Sequence, residues 1–218
     1  MTVPLRLADA VLEPLLQGES RVFEEGSVTE IVTGSSEHCG LLLEAFLGLR
    51  PPDAGKIVLL GEDLGELSRG TLYDLRSRVG VYQRGGGLIS NLKVVENVAL
   101  PLLYHSAESA DGITEKAFRA LDRAGYDGSP FELPGRLSGF QRAAVGLARV
   151  LAADPEAVFY DRLGSDLLEP ERRALFGPAF DFHRERPGRI TVFLFPHPGT
   201  IPGDAPRTVL KLSKGRFE

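Results

Sequence analysis

A chain of 218 residues with 43% hydrophobic content has enough apolar mass for a full core, and its net charge of −5 excludes the basic footprint that nucleic-acid phosphates require. One cysteine, Cys39, excludes an internal disulfide, and four scattered histidines offer no metal-ligand spacing. No stretch approaches the roughly 18 consecutive apolar residues of a membrane-spanning helix, and the first residues lack the pattern of a signal peptide, so the expected location is cytoplasmic.

In chain order, the alternating runs VPLRLADAVL and SRVFEEGSVTEIV predict antiparallel strands with a turn at Gly26. Thr29 to Thr33 reads as a strand, Gly34 to Cys39 as a tight loop, and Gly40 to Leu49 as a helix with Leu43, Phe46 and Leu47 on one face. That order is a phosphate-binding layout, because backbone N–H groups at a helix N-terminus wrap an anion. The full pattern is GxxxxGK[ST], in which the lysine reaches the outer phosphates and the hydroxyl holds Mg²⁺. Here Gly34 opens it and Ser35, Ser36, Glu37 and His38 follow, but the three required positions read Cys39, Gly40 and Leu41, with Leu42 behind them. No lysine follows until Lys56. Alone, the stretch reads first as an ordinary strand-turn-helix.

After the breaker cluster RPPDAG come a strand from Lys56 to Leu60, a turn at Gly61 to Asp63, a polar helix from Leu67 to Arg78, and a strand from Val79 to Tyr82. Gln83 ends that strand, with a flexible RGGG behind it. Helical spacing then dominates: Val94 to Tyr104, Thr114 to Ala124, and Ser138 to Ala152, the last with Ser138 suited to an N-cap. Ala157 to Tyr160 is an apolar strand ending at Asp161, Glu169 to Glu185 a helix, Ile190 to Phe195 an apolar strand, and Thr208 to Leu212 the final strand. The arginines at 172–173 and 184–189 read as solvated helix ends, and Cys39 as a small buried filler.

Gln83, the LSGFQ of Leu137, Ser138, Gly139, Phe140 and Gln141, the strand ending at Asp161, and His197 after the next strand occur in the order of an ABC transporter ATPase subunit, which the chain resembles over nearly its whole length. The resemblance implies an α/β fold: a P-loop NTPase (RecA-like) core with an antiparallel β subdomain and an inserted helical subdomain. It implies a single domain over 1–218, with the core in 1–90 and 155–218 and the helical signature part in 91–154. It makes Gln83 the Q-loop residue, residues 137–141 the signature, Asp161 the Walker B carboxylate and His197 the switch histidine. ATP and Mg²⁺ are the implied cofactors; a membrane permease and a second ABC ATPase subunit are the implied partners, with no nucleic acid, on the inner face of the cytoplasmic membrane. SNLKVVENVALPLLYH and GRLSGFQRAAVGLARVLAADPEAVFYD resemble the phospholipid-trafficking branch, the Mla-type ATPases.

The departures from that pattern cluster at the chemistry. Arg162 stands where the family places the glutamate that polarises the attacking water, and a cation cannot act as that base. Leu168 stands where an interfacial Asp is expected, Phe140 replaces the second glycine of the signature, and Val11 to Leu16 offers no aromatic for adenine stacking. The expectation is an ATP-binding subunit of a lipid transport system with a degenerate site, inactive alone and dependent on a partner ATPase. An active ATPase with a divergent P-loop and a non-transport scaffold of the same fold are the alternatives.

Overall fold

The computed structural model describes residues 4–105, 107–203 and 205–218. In chain order the elements are β1 (Leu5–Leu12), β2 (Leu16–Phe23), β3 (Val28–Val32), α1 (Ser36–Phe46), β4 (Ala54–Leu59), β5 (Glu62–Asp63), α2 (Arg69–Ser77), β6 (Val79–Tyr82), α3 (Val94–His105), α4 (Ala110–Arg123), α5 (Gly139–Ala153), β7 (Ala157–Asp161), α6 (Glu169–Arg184), β8 (Ile190–Phe195), β9 (Thr208–Ser213) and β10 (Arg216–Phe217). β1 and β2 mix buried and exposed side chains, as strands with one face in water do, and join β4 and β5 in an antiparallel sheet of order β2-β1-β4-β5. β7 and β8 are buried at every position and lie inside a six-stranded sheet of order β10-β9-β3-β8-β7-β6, parallel except for the β9–β10 hairpin.

Successive strand side chains point to opposite faces, so the large sheet is a wall between two cores. Phe159, Val192 and Leu194 face α1 and the small sheet, meeting Phe46, Leu5 and Leu59. Val158, Tyr160, Phe193 and Phe195 face α5 and α6, with α3 and α4 packed beyond. Phe159 and Phe193 are fully buried, each contributing about 1.5–3 kcal/mol relative to exposure. Because β3, β6, β7 and β8 are parallel, their C-terminal ends share one edge, where open α/β sheets place their sites.

The apolar strands and the signature helix match the sequence reading to within a residue, but other features differ: the turn expected at Gly61 to Asp63 holds β5, paired with β4, and α1 ends at Phe46 rather than Leu49. The loop read at Gly34 to Cys39 is largely helix: α1 starts at Ser36, because the Ser35 side chain caps it by accepting the His38 N–H at 3.1 Å. A tenth strand, β10, follows the strand taken as final. α4 begins at Ala110 rather than Thr114, capped by Ser109. Arg189, read as a solvated helix end, is 1% exposed. Its guanidinium lies 3.6 Å from the centre of the Phe182 ring and donates to the Pro155 and Phe182 carbonyls and to Asp154.

His183 of α6 ties β8 to the turn before β3. Its Nδ1 lies 2.9 Å from Thr191 Oγ1 and its Nε2 3.1 Å from the Gly26 carbonyl, which fixes Nε2 as the donor and Nδ1 as the acceptor. Burial holds its pKa below the ordinary value. As pH falls below about 6.5, the unfolded chain therefore takes up this proton before the folded one does. Stability from this group is complete above that pH and is lost as pH falls through the depressed folded pKa. Melting temperatures from pH 7.5 down to 5.5 are expected to fall more for the wild type than for His183→Gln; parallel curves would refute the assignment.

Candidate functional site

The ends of β3, β7 and β8 meet at one point. Past β3, Thr33 N–H donates to the Phe195 carbonyl at 2.9 Å and Gly34 N–H to the Pro196 carbonyl at 3.0 Å, so the Gly34 turn is pinned beside the loop that carries the exposed His197. The Thr33 hydroxyl donates to the Ser35 carbonyl at 2.8 Å, and its oxygen lies 3.1 Å from Cys39 Sγ. Cys39 is wholly buried, as the sequence reading expects of a filler, and burial raises its thiol pKa. Leu42 is buried in the core, while Gly40 and Leu41 are half-buried.

The six-residue cradle expected here is thus a short turn at Gly34 and Ser35. Two N–H groups that would face an anion are spent on the chain itself: His38 N–H on Ser35 Oγ and Cys39 N–H on the Ser35 carbonyl at 3.2 Å. Ser36 and Glu37 remain exposed in the first turn of α1. Beside the turn, a cavity of about 370 Å³ is lined by Pro14, Leu15, Thr33, His38 and Lys214. Lys214 comes from the β9–β10 hairpin, and no local pattern links it to His38.

Asp161 ends β7 with 6% exposure, and the Arg162 guanidinium grips both its oxygens, Nε to Oδ1 at 2.8 Å and Nη2 to Oδ2 at 2.9 Å. Arg84, next to Gln83, makes a second two-point pair with Asp166 at 2.9 and 2.7 Å. That pair holds the Asp166 carboxyl below the usual range, through the hydrogen bond first and the charges of Arg84 and Arg162 after it.

Gln83 is exposed at the end of β6, but the glycines behind it are packed rather than free. Gly86 adopts φ +88°, and α5 approaches it so closely that a Cβ on Gly146 would lie 2.5 Å from Gly86 Cα. Arg149 donates to the Gly86 and Gly87 carbonyls at 2.9 Å each. Farther on, Asn97 of α3 is 0% exposed; its Oδ1 accepts the Ile89 N–H at 2.7 Å, and its Nδ2 lies 3.0–3.1 Å from the Ile89, Leu92 and Lys93 carbonyls. Leu88 packs partly buried against the core, and Ile89 is 41% exposed. Gly146→Ala adds about 1 kcal/mol of helix propensity but overpacks this contact by about 1–3 kcal/mol. A net loss of stability in urea unfolding is expected; a gain would mean the loop yields freely.

The signature residues spend their polar groups within the chain. Ser138 Oγ accepts the Gln141 N–H at 3.1 Å, Gln141 Oε1 accepts the Ser138 N–H at 3.0 Å, and Gln141 Nε2 donates to Asp127 at 3.0 Å, which closes a capping box. Leu137 is buried, Ser138 and Gly139 exposed, Phe140 half-buried. The small residues Ala143, Ala144, Gly146 and Ala148 are buried within this chain, so they do not form a surface for another subunit.

A family model described as ABC transporter matches residues 16–162. The probable ribonucleotide transport ATP-binding protein mkl of Mycobacterium leprae is 31% identical over 164 residues, covering 72% of this chain and 47% of that protein. The cell division ATP-binding protein FtsE of Haemophilus influenzae is 29% identical over 203 residues, 93% of this chain and 91% of that protein. The chain thus spans about half the length of mkl and nearly all of FtsE. The post-hydrolysis dimer of the ATP-binding cassette MJ0796, bound to ADP and Pi, superposes with a TM-score of 0.84 at 21% identity, over 98% of this chain and 96% of that one, a likeness of fold.

Proposed function

Because the chain belongs to the ABC transporter family of ATP-binding domains, we propose that it is a permease-coupled subunit whose own ATP site is degenerate and which works with a second, competent ATPase chain. The observation that carries this reading is the Gly34 turn: α1 starts at Ser36 under the Ser35 cap, with Cys39, Gly40 and Leu41 where glycine, lysine and a Mg²⁺-binding hydroxyl are required. ATP and Mg²⁺ are the cofactors of the family; in this reading they serve the partner's P-loop, opposite Ser138 to Gln141 of this chain.

Lipid is the proposed cargo, supported by the two segments at 90–105 and 135–161 that resemble the Mla-type ATPases. The relatives' names point to different roles, from ribonucleotide transport to cell division, and do not decide it. No helix among the described residues is long and apolar enough to cross a membrane, so attachment goes through the permease at the cytoplasmic face. The proposed docking surface runs from the loop behind Gln83 to the aromatics of α2 and α3. Tyr73 and Tyr104 are 51% and 70% exposed, and both flank the His105 ring, at 5.1 and 6.5 Å between centroids.

The test is coexpression with the neighbouring transporter subunits, followed by copurification and phosphate release. The chain alone is expected to release phosphate no faster than buffer, with Arg162→Glu equally inert. It is expected to copurify with a permease and a second ATPase, and Tyr73→Asp with Tyr104→Asp to lose the permease while staying folded. Turnover by the chain alone would favour a divergent working P-loop, and absence of any permease would favour a scaffold.

A further inference from the structure

We propose that Arg162 is a resident cation, the chain's own substitute for the divalent ion at Asp161, so that this position is closed to Mg²⁺ by the polypeptide itself. The inference rests on the reading above that Asp161 marks the family's metal-carboxylate position. A carboxylate buried at the end of β7 requires a counter-charge. Here the next residue supplies it, against the local geometry: consecutive residues of a strand point to opposite faces, so an extended chain would keep the two side chains apart. The backbone instead turns at Arg162 into the left-handed region, φ +54°, where a long side chain is sterically disfavoured. The Arg162 N–H donates to the Leu194 carbonyl at 3.0 Å, which anchors the turn on β8. The guanidinium then folds back onto both Asp161 oxygens, with the two side chains only 17% and 8% exposed.

The charges around the pair leave no excess for a metal. The loop after β7 returns Asp166, which Arg84 holds at two points, so acid and base alternate through Asp161, Arg162, Asp166 and Arg84. No cluster of three or more His, Cys, Asp or Glu suited to a metal exists among the described residues. Mg²⁺ demands oxygen ligands at 2.0–2.1 Å in near-octahedral geometry. It would have to displace a guanidinium fork already matched to the carboxylate.

The experiment uses the full chain without nucleotide or permease, so its outcome is separate from the turnover and copurification tests. Mn²⁺ is titrated to about 1 mM, the weak end of oxygen-donor sites, and free Mn²⁺ is read by electron paramagnetic resonance. The variants are Arg162→Gly and Arg162→Asn, two residues that tolerate positive φ, each also combined with Asp161→Asn, together with Asp161→Asn alone, and folding is checked by circular dichroism. The wild type is expected to leave Mn²⁺ free. Each folded single variant is expected to gain a site at least about tenfold tighter than any wild-type binding, or about 1.4 kcal/mol, and the double variants to lose it. An ion pair that served only the fold would leave Mn²⁺ binding unmoved. Wild-type binding abolished by Asp161→Asn, or folded single variants that bind no more Mn²⁺ than the wild type, would overturn the proposal.

Discussion

Calorimetry of the purified chain with MgATP is expected to give no isotherm at micromolar nucleotide. A triphosphate needs charge compensation, and two of its usual sources, the P-loop lysine and the Mg²⁺-binding hydroxyl, are replaced by residues that cannot supply it. Each missing charge-assisted hydrogen bond is worth roughly 1.5–3 kcal/mol. Two of them weaken binding by about two to four powers of ten, at about 1.4 kcal/mol per decade. The turn adds to the loss, since the His38 and Cys39 N–H groups are spent on Ser35 and the Glu37 carboxylate stands in the first turn. Low-micromolar binding that a bulky substitution at Ser36 abolishes would refute this.

Arg207→Ala is expected to cost about 3–5 kcal/mol, the range for stranding a buried charge. Glu30 sits in β3 at the middle of the large sheet, 1% exposed, and Arg207 Nε donates to its Oε2 at 2.6 Å. The other carboxylate oxygen, Oε1, is buried with no hydrogen-bond partner among the described residues, so the charge rests on Arg207. Replacing both residues, Glu30→Met with Arg207→Ala, is expected to recover most of the loss, because a buried ion pair is dearer to break than to remove. Urea unfolding of the two single variants and the double variant closes the cycle. A loss below about 1 kcal/mol for Arg207→Ala would place this pair with ordinary surface bridges.

The parts of the fold that read directly from the sequence are those set by local pattern. Ala157 to Tyr160 and Ile190 to Phe195 are apolar runs short enough for strands, and both lie inside the parallel sheet. Ser138 with Gln141 three residues on is a capping box in the sequence and in the structure. The start of α1 is legible in Ser35 followed by an acidic first turn at Glu37, a helix-start signal, but the same residues also fit the spacing of a phosphate loop. Arg189 and Lys214 were not legible. What buries the one is the Phe182 ring of another element, and what brings the other beside His38 is a hairpin at the far end of the chain. The Asp161 to Arg162 contact depends on a positive φ at an arginine, which no residue-type preference announces.

Asn97 also gives the loop behind Gln83 an unexpected lifetime. The Ile89 amide lies in a stretch with neither helix nor strand, yet its hydrogen is held by a side chain rooted in α3 and sealed from water. It can reach solvent only when that side chain leaves, and the side chain leaves only when α3 lifts from α5. Deuterium should therefore enter Ile89 on the schedule of the helical layer as a cooperative unit, far more slowly than at the loop tips around it.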